Sequence, residues 1–268
     1  MKRRIGIVGC GVIGSQLARS IQEEFAKKAK LVALCDLEEE KARQLSRRFS
    51  ISPSICSINE LIGKSDLIIE SASANIAAEV AEECLKRGRD VLIMSSGGLF
   101  GREDILELAE QKNSHLYIPS GALAGLDGAK AAGLGKIFSV VLISRKPPRG
   151  LEGAPYILEN KIDLFKIKEE TTIFEGDVQQ AEKAFPRNIN IAAGISLALG
   201  SCDMTVRIIT SPQFKTNSHQ LILKGEFGEL TVETNNLPSP DNPKTSYLAA
   251  LSAVATLKDI LGYVQVGT

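Results

Sequence analysis

Residues 1–119 alternate between short apolar runs and longer stretches in which apolar positions recur with helical spacing. Arg4 to Val8 is apolar enough for a strand buried on both faces, and Val12 to Phe25 follows with a helical period. Leu31 to Cys35 reads as a second strand, ending at Asp36, and Glu38 to Phe49 as a charged amphipathic helix. The pattern continues with strand Leu67 to Glu70, helix Ile76 to Arg87, strand Asp90 to Met94, helix Arg102 to Gln111 and strand Leu116 to Pro119. Such alternation predicts an α/β fold: a doubly wound parallel sheet of the Rossmann kind.

Beyond Pro119 the texture changes. The glycine-rich SGALAGLDGAKAAGLG leads into β-like runs at Phe138 to Ser144, Met204 to Thr210, Gln220 to Lys224 and Glu229 to Glu233, with a helix over Asn190 to Leu199. These predict a second, α+β domain. Asn242-Pro243 reads as a helix start, opening a long apolar-periodic helix from Pro243 to Leu261 that returns to the first domain. The expected organisation is a dinucleotide-type domain over 1–119, a substrate-binding and dimerisation domain over 120–240 and a returning C-terminal helix over 241–268.

Composition narrows the partners. The 268 residues carry 32 basic and 32 acidic side chains, so no net field draws the chain to nucleic acid. No stretch approaches the roughly 20 apolar residues of a membrane span, and no membrane partner is expected. The basic, apolar start MKRRIGIVGCGVIG superficially looks like a signal peptide, but its glycines fit a first strand and turn better. Cys10, Cys35, Cys56, Cys84 and Cys202 are odd in number and contain no Cys-x-x-Cys pair. They read as reduced thiols in a cytoplasm, and no metal site is expected.

The turn after the first strand is Gly9-Cys10-Gly11-Val12-Ile13-Gly14. Glycines at this spacing permit a tight turn, close approach of a pyrophosphate and close helix-to-strand packing, while the helix N-terminus offers N–H groups to phosphate. Asp36 stands 22 positions beyond Gly14 at a strand end, where a carboxylate accepts from the adenosine ribose hydroxyls. Its charge opposes a 2′-phosphate and Leu37 cannot neutralise one, so NAD is favoured, with NADP possible through Arg43 on the next helix. The alternative is a plain flexible turn with Asp36 as a helix cap. Ser71-Ala72-Ser73 and Ser95-Ser96-Gly97-Gly98 follow later strands and are expected along the nicotinamide half of the cofactor, or serve as ordinary turns and caps.

Two histidines are available as acids or bases near neutrality. His115 ends a polar loop before a strand and reads as structural. His219 opens a strand and is the catalytic candidate, unless it is a strand-end histidine bonded to a turn.

The segments PSGALAGLDG (119–128), SRKPP (144–148), FPRNINIAAGISLA (185–198), TNSHQL (216–221), GEFGEL (225–230) and PSPDNPKTSYLAALSA (238–253) resemble successive motifs of the L-aspartate dehydrogenase family. The resemblance runs from the glycine turn to the C-terminal helix. It implies oxidation of L-aspartate to iminoaspartate with NAD or NADP, the imine feeding NAD synthesis or hydrolysing to oxaloacetate and ammonia, and it implies a homodimer. It assigns His219 as the catalytic histidine and places the cofactor against Asn188, Asn190 and Ala124, with Ala122 as the other reading of that contact. Two carboxylates on the substrate call for cations, and Arg145, Lys146 and Lys244 lie in the matching motifs, though solvated surface charge is the alternative. Lys244 also stands where backbone N–H groups of a helix start would meet an anion. The segment Ser95 to Leu99 departs from the family, which is expected to carry a larger residue at Ser96 and alanine at Gly98. A two-domain reductase of the homoserine dehydrogenase or dihydrodipicolinate reductase kind, or a non-catalytic NAD sensor, are the competing readings.

Overall fold

In a computed structural model of the chain, the apolar runs of residues 1–119 close into one six-stranded parallel sheet in the order β3-β2-β1-β4-β5-β6. The structure describes residues 1–49, 52–186, 189–200, 203–240 and 242–267, and of 242–244 the backbone alone. The elements of this first unit are β1 (Arg3–Val8), α1 (Val12–Glu23), β2 (Ala29–Cys35), α2 (Glu39–Arg48), β3 (Ser54–Ile55), α3 (Ile58–Lys64), β4 (Leu67–Glu70), α4 (Ala74–Lys86), β5 (Asp90–Ile93), α5 (Glu103–Gln111) and β6 (Leu116–Tyr117). Every strand pairing is parallel, and the order reverses between β1 and β4. That reversal is the topological switch point at which such sheets bind ligand, beyond the carboxyl ends of the strands.

The first unit comprises Met1–Pro119 together with Ala250–Gln265. Ile5, Ile7, Leu17, Ile21, Leu34, Leu67, Ile69 and Leu92 form its core, joined by Ala253 and Leu257 from the chain's last helix. The sequence pattern leaves α3 and β3 unnamed. The start of α3 nevertheless carries a local signal, because Ser57 accepts from the Glu60 N–H while the Glu60 carboxylate accepts from the Ser57 N–H.

The second unit, Ser120–Ala249 with Val266–Thr268, contains α6 (Leu126–Ala132), β7 (Ile137–Lys146), α7 (Pro155–Glu159), β8 (Thr171–Gly176), α8 (Val178–Ala184), α9 (Asn190–Leu199), β9 (Met204–Thr210), β10 (Asn217–Gly225) and β11 (Gly228–Asn236). Its sheet runs β11-β10-β7-β9-β8, with only β7 and β9 parallel. The start of α6 seats closely on β11. Gly125 has φ +82, and a Cβ there would meet Val232 Cγ2 at 2.7 Å, so both backbone and space demand glycine.

One expectation fails at the C-terminal end. Asn242–Ser246 is not the first turn of a helix but strand β13, paired antiparallel with β12 (Pro238–Ser239), and α10 begins only at Tyr247 and runs to Ile260. Asn-Pro is as much a turn signal as a helix-start signal. Here the chain doubles back on itself, with Ser246 opposite Pro238. Lys244 therefore sits in a strand, the anion site expected at a helix start is absent there, and the Lys244 side chain lies outside the described residues, as do Asn188 and Cys202.

Candidate active site

The glycine turn is closed by backbone contacts that leave no room for larger residues. Gly9 has φ +92, and a Cβ there would lie 2.6 Å from the Ser71 carbonyl group. A Cβ on Gly14 would meet the Gly9 carbonyl oxygen at 2.1 Å. Gly11 has open space where a Cβ would stand. The turn is thus tight beneath and clear above, as approach of a pyrophosphate to the start of α1 at Val12 and Ile13 requires. Asp36 Oδ2 accepts from the Cys10 N–H at 2.7 Å and Oδ1 from the Glu38 N–H at 2.9 Å. Each carboxylate oxygen keeps a further lone pair for a ribose hydroxyl. These residues fit a dinucleotide. Arg43 instead pairs with Glu39 one turn back on α2, and Leu37 is fully exposed.

Across the switch point, Ser71 Oγ donates to the Gly9 carbonyl at 2.8 Å, tying the loop after β4 to the turn after β1. Ala72 and Ser73 are exposed, whereas Ser96 and Gly97 are buried in a short 3-10 turn, Ser96–Leu99. The residue that organises these loops is one the sequence reading did not single out. Glu70, the last residue of β4, is fully buried and receives hydrogen bonds from both loops. A single charge ending the apolar run LIIE is the signal that was available. At Gly98 this backbone has no room for the alanine expected there, since a Cβ would meet the Ala74 carbonyl oxygen at 2.2 Å.

In the second unit, β10 pairs with β7 so that His219 lies opposite Ser144. Side chains alternate along a strand, so Ser144 and Lys146 share one face of β7 with His219, and Arg145 takes the other. The structure brings Lys146 to His219 and does not bring Arg145. The Arg145 guanidinium lies 3.2 Å from Gln220 Oε1 and 3.9 Å from the Glu170 carboxylate. Ser144 Oγ and His219 Nδ1 are 2.9 Å apart, both side chains being buried. Sequence reasoning also missed Ser144, which only strand register reveals. Thr210, opposite Lys146 on β9, is fully buried and donates to the Lys146 carbonyl at 2.8 Å.

Burial dominates the electrostatics of this face. It lowers the Lys146 ammonium pKa to about 8. His219 falls to about 3, first through lost hydration and then through the positive charge of Lys146. The imidazole is therefore neutral over the working pH range, and Lys146 is the group poised to change charge.

The loop before α6 is pinned to the same sheet. The Ala122 carbonyl accepts from Thr234 Oγ1 and Asn236 Nδ2, each at 2.9 Å, and Thr234 lies opposite His219 on β11. Ala122 is buried, whereas Ala124 is exposed, as is Asn190 at the first position of α9. His115 precedes β6, its Nδ1 3.3 Å from Asp90, and stacks on Tyr117.

A parallel sheet reversing at a glycine-tight turn with an acidic residue at the end of β2, followed by a mixed-sheet unit with a buried histidine and lysine, defines a two-domain NAD-binding dehydrogenase. Residues 9–119 match the profile of the homoserine dehydrogenase NAD-binding domain, and residues 127–260 that of the aspartate dehydrogenase C-terminal domain. The L-aspartate dehydrogenase of Methanosarcina acetivorans is 49% identical over 99% of both chains, and that of Methanocaldococcus jannaschii 41% identical over the same share. The chain belongs to the L-aspartate dehydrogenase family. Its fold matches the crystal structure of the aspartate dehydrogenase from Thermotoga maritima, with a TM-score of 0.75, 22% identity and full coverage of both chains. A homoserine dehydrogenase from Thiobacillus denitrificans matches at a TM-score of 0.65 and 11% identity, over 97% of this chain and 73% of that one. Among the described residues no helix is long and apolar enough to cross a membrane.

Proposed function

We propose that this chain oxidises L-aspartate to iminoaspartate, passing hydride to NAD. The observation that carries the chemistry is the buried His219, held through Nδ1 by Ser144 and sharing its face of the sheet with Lys146. Bound nicotinamide supplies the hydride acceptor at its C4. Cα–H leaves as hydride only if the amine nitrogen is neutral, because its lone pair forms the new C=N bond. Hydride loss then yields an iminium, a stronger acid than the original ammonium. In the tautomer that carries its proton on Nδ1 and donates it to Ser144, His219 presents the Nε2 lone pair to that iminium and takes its proton once a substrate carboxylate on Lys146 offsets the positive charge that helps to lower the imidazole pKa. The Lys146 ammonium pairs with a substrate carboxylate. The released imine hydrolyses to oxaloacetate and ammonia or passes to an imine-consuming step of NAD synthesis.

Absorbance of reduced nicotinamide, followed with NAD and L-aspartate at alkaline pH, tests this reading. Turnover is expected with L-aspartate and not with D-aspartate, L-glutamate or L-homoserine. Binding of NADH with turnover of none of them would replace the enzyme by a dinucleotide sensor.

The cofactor preference rests on Asp36. Hydrogen bonds to a charged group contribute about 1.5–3 kcal/mol. Asp36→Ser is accordingly expected to lower kcat/KM for NAD by roughly 10- to 100-fold, with a much smaller loss for NADP, whose 2′-phosphate no longer meets a carboxylate. An unchanged ratio of the two kcat/KM values would remove Asp36 from cofactor selection.

The assembly fitting this reading is a homodimer in the cytoplasm. The sheet face opposite His219 carries the part-exposed Val141 and Ile222, which suit an interface, and Cys10, Cys35, Cys56 and Cys84 are free thiols. Light scattering of the purified chain at twice the monomer mass is the expected result, and a monomer at micromolar concentration would refute it.

A further inference from the structure

Glu70 has no part in the steps above, yet its carboxylate gathers four donors. Oε1 accepts from the Ala72 N–H at 2.8 Å, the Ser73 N–H at 3.0 Å and the Ser95 hydroxyl at 3.0 Å, and Oε2 accepts from the Ser95 N–H at 3.1 Å. The side chain is fully buried at the end of β4, and burial pushes its pKa up against the pull of those hydrogen bonds. Because all four partners donate, the ionised carboxylate is the form that satisfies them together. A buried charge is costly to hold, and closing a single strand-to-helix turn does not need one. The other strands ending at this edge of the switch point, β1 and β5, finish in apolar Val8 and Ile93.

What the carboxylate achieves is a connection between two successive loops. Ala72 and Ser73 lie in the loop after β4, and Ser95 opens the loop after β5. The same loops meet again where Gly98 sits against the Ala74 carbonyl so closely that a Cβ would stand 2.2 Å from the oxygen. Two separate contacts thus fix the second loop on the first, and a shift at Ser95 carries through Ser96 and Gly97. Both loops stand at the carboxyl ends of strands on the far side of the switch point from the glycine turn and Asp36, the side on which the second half of a dinucleotide lies.

We propose that Glu70 is a positioning residue for the nicotinamide half of the cofactor, setting the two loops in register through its four hydrogen bonds while leaving the adenosine half to Asp36 and the glycine turn. The inference rests on reading the first unit as a dinucleotide site. Glu70→Gln keeps the volume but replaces one acceptor oxygen by an NH2 donor, which faces a donor whichever way the amide is turned. Calorimetric titration of the purified full-length chain with NADH and with ADP-ribose, which lacks the nicotinamide, separates the two halves. The expected result is NADH affinity weakened about tenfold or more, as follows from one lost charge-assisted hydrogen bond and its repelled donor, with ADP-ribose affinity changed by less than about twofold. Equal loss for both ligands, or loss for neither, overturns the proposal while leaving the dinucleotide reading intact. If the wild-type chain binds neither ligand, the dinucleotide reading falls and the proposal with it. Should Glu70→Gln not fold, Ser95→Ala removes one donor and leaves the carboxylate. It is expected to weaken NADH a few-fold at unchanged ADP-ribose affinity, and no difference between the two ligands would count against Glu70.

Discussion

His219→Ala is expected to lower kcat for L-aspartate oxidation by roughly 10²- to 10⁴-fold, the range that a positioned acid or base contributes. NADH affinity should stay within about twofold of wild type, since removing a proton acceptor leaves the dinucleotide turn untouched. The ring is buried and neutral, its pKa lowered to about 3 by burial and by Lys146, so the loss should be nearly constant between about pH 6 and 10. An ordinary histidine near 6.5 would instead show it fading on the acid side. Ser144 acts through the ring, at 2.9 Å from Nδ1. Ser144→Ala is therefore expected to cost less, about tenfold, through a freed tautomer and orientation. Stopped-flow and steady-state rates on the two variants check the order. If His219→Ala retains more than about a tenth of kcat, the histidine is structural and the proton acceptor must be sought elsewhere.

Legibility in the sequence followed physical locality. The first unit was readable nearly element by element because βαβ units are written in short apolar runs and helical periods, and α9 and β9 were readable for the same reason. What failed depended on strand pairings that the local pattern does not decide. Asp-Asn-Pro at 241–243 carries equal local signals for a turn and a helix start, and only the pairing of Ser246 with Pro238 decides it. Arg145 and Lys146 are neighbours with the same charge. Parity places one of them with Ser144, but the face taken by His219 follows from the register of β10 on β7, which no local pattern encodes. Glu70 was hidden differently: a lone carboxylate ending a strand looks like solvent-facing punctuation until four donors are seen to converge on it. The family resemblance singled out His219 as the candidate through its surrounding motif; the neutral state of its ring follows from burial and from Lys146.

Lys146→Met should have the second large effect, and its signature is in pH dependence as much as in magnitude. The ammonium is the cation on the same sheet face as His219, and losing a hydrogen-bonded ion pair of about 2–3 kcal/mol corresponds to a rise of roughly 30- to 150-fold in KM for L-aspartate. Methionine preserves the length and apolar bulk of the stem, so the fold should tolerate the change. In the free enzyme Lys146 titrates at about 8: it is cationic below and neutral above, so carboxylate binding weakens tenfold per pH unit as pH rises beyond 8. Over the same interval the neutral fraction of free substrate amine grows tenfold per unit, up to its own pKa of about 10. The two slopes cancel, and wild-type kcat/KM should be flat from about pH 8 to 10. Wild-type kcat should go on rising, because a bound carboxylate holds Lys146 protonated. Removing the lysine removes the falling slope alone, so kcat/KM of Lys146→Met should start far lower and climb through the whole interval. A variant with unchanged KM and a wild-type profile would show that Lys146 does not hold the substrate, and would leave its burial beside His219 as a structural feature of the sheet.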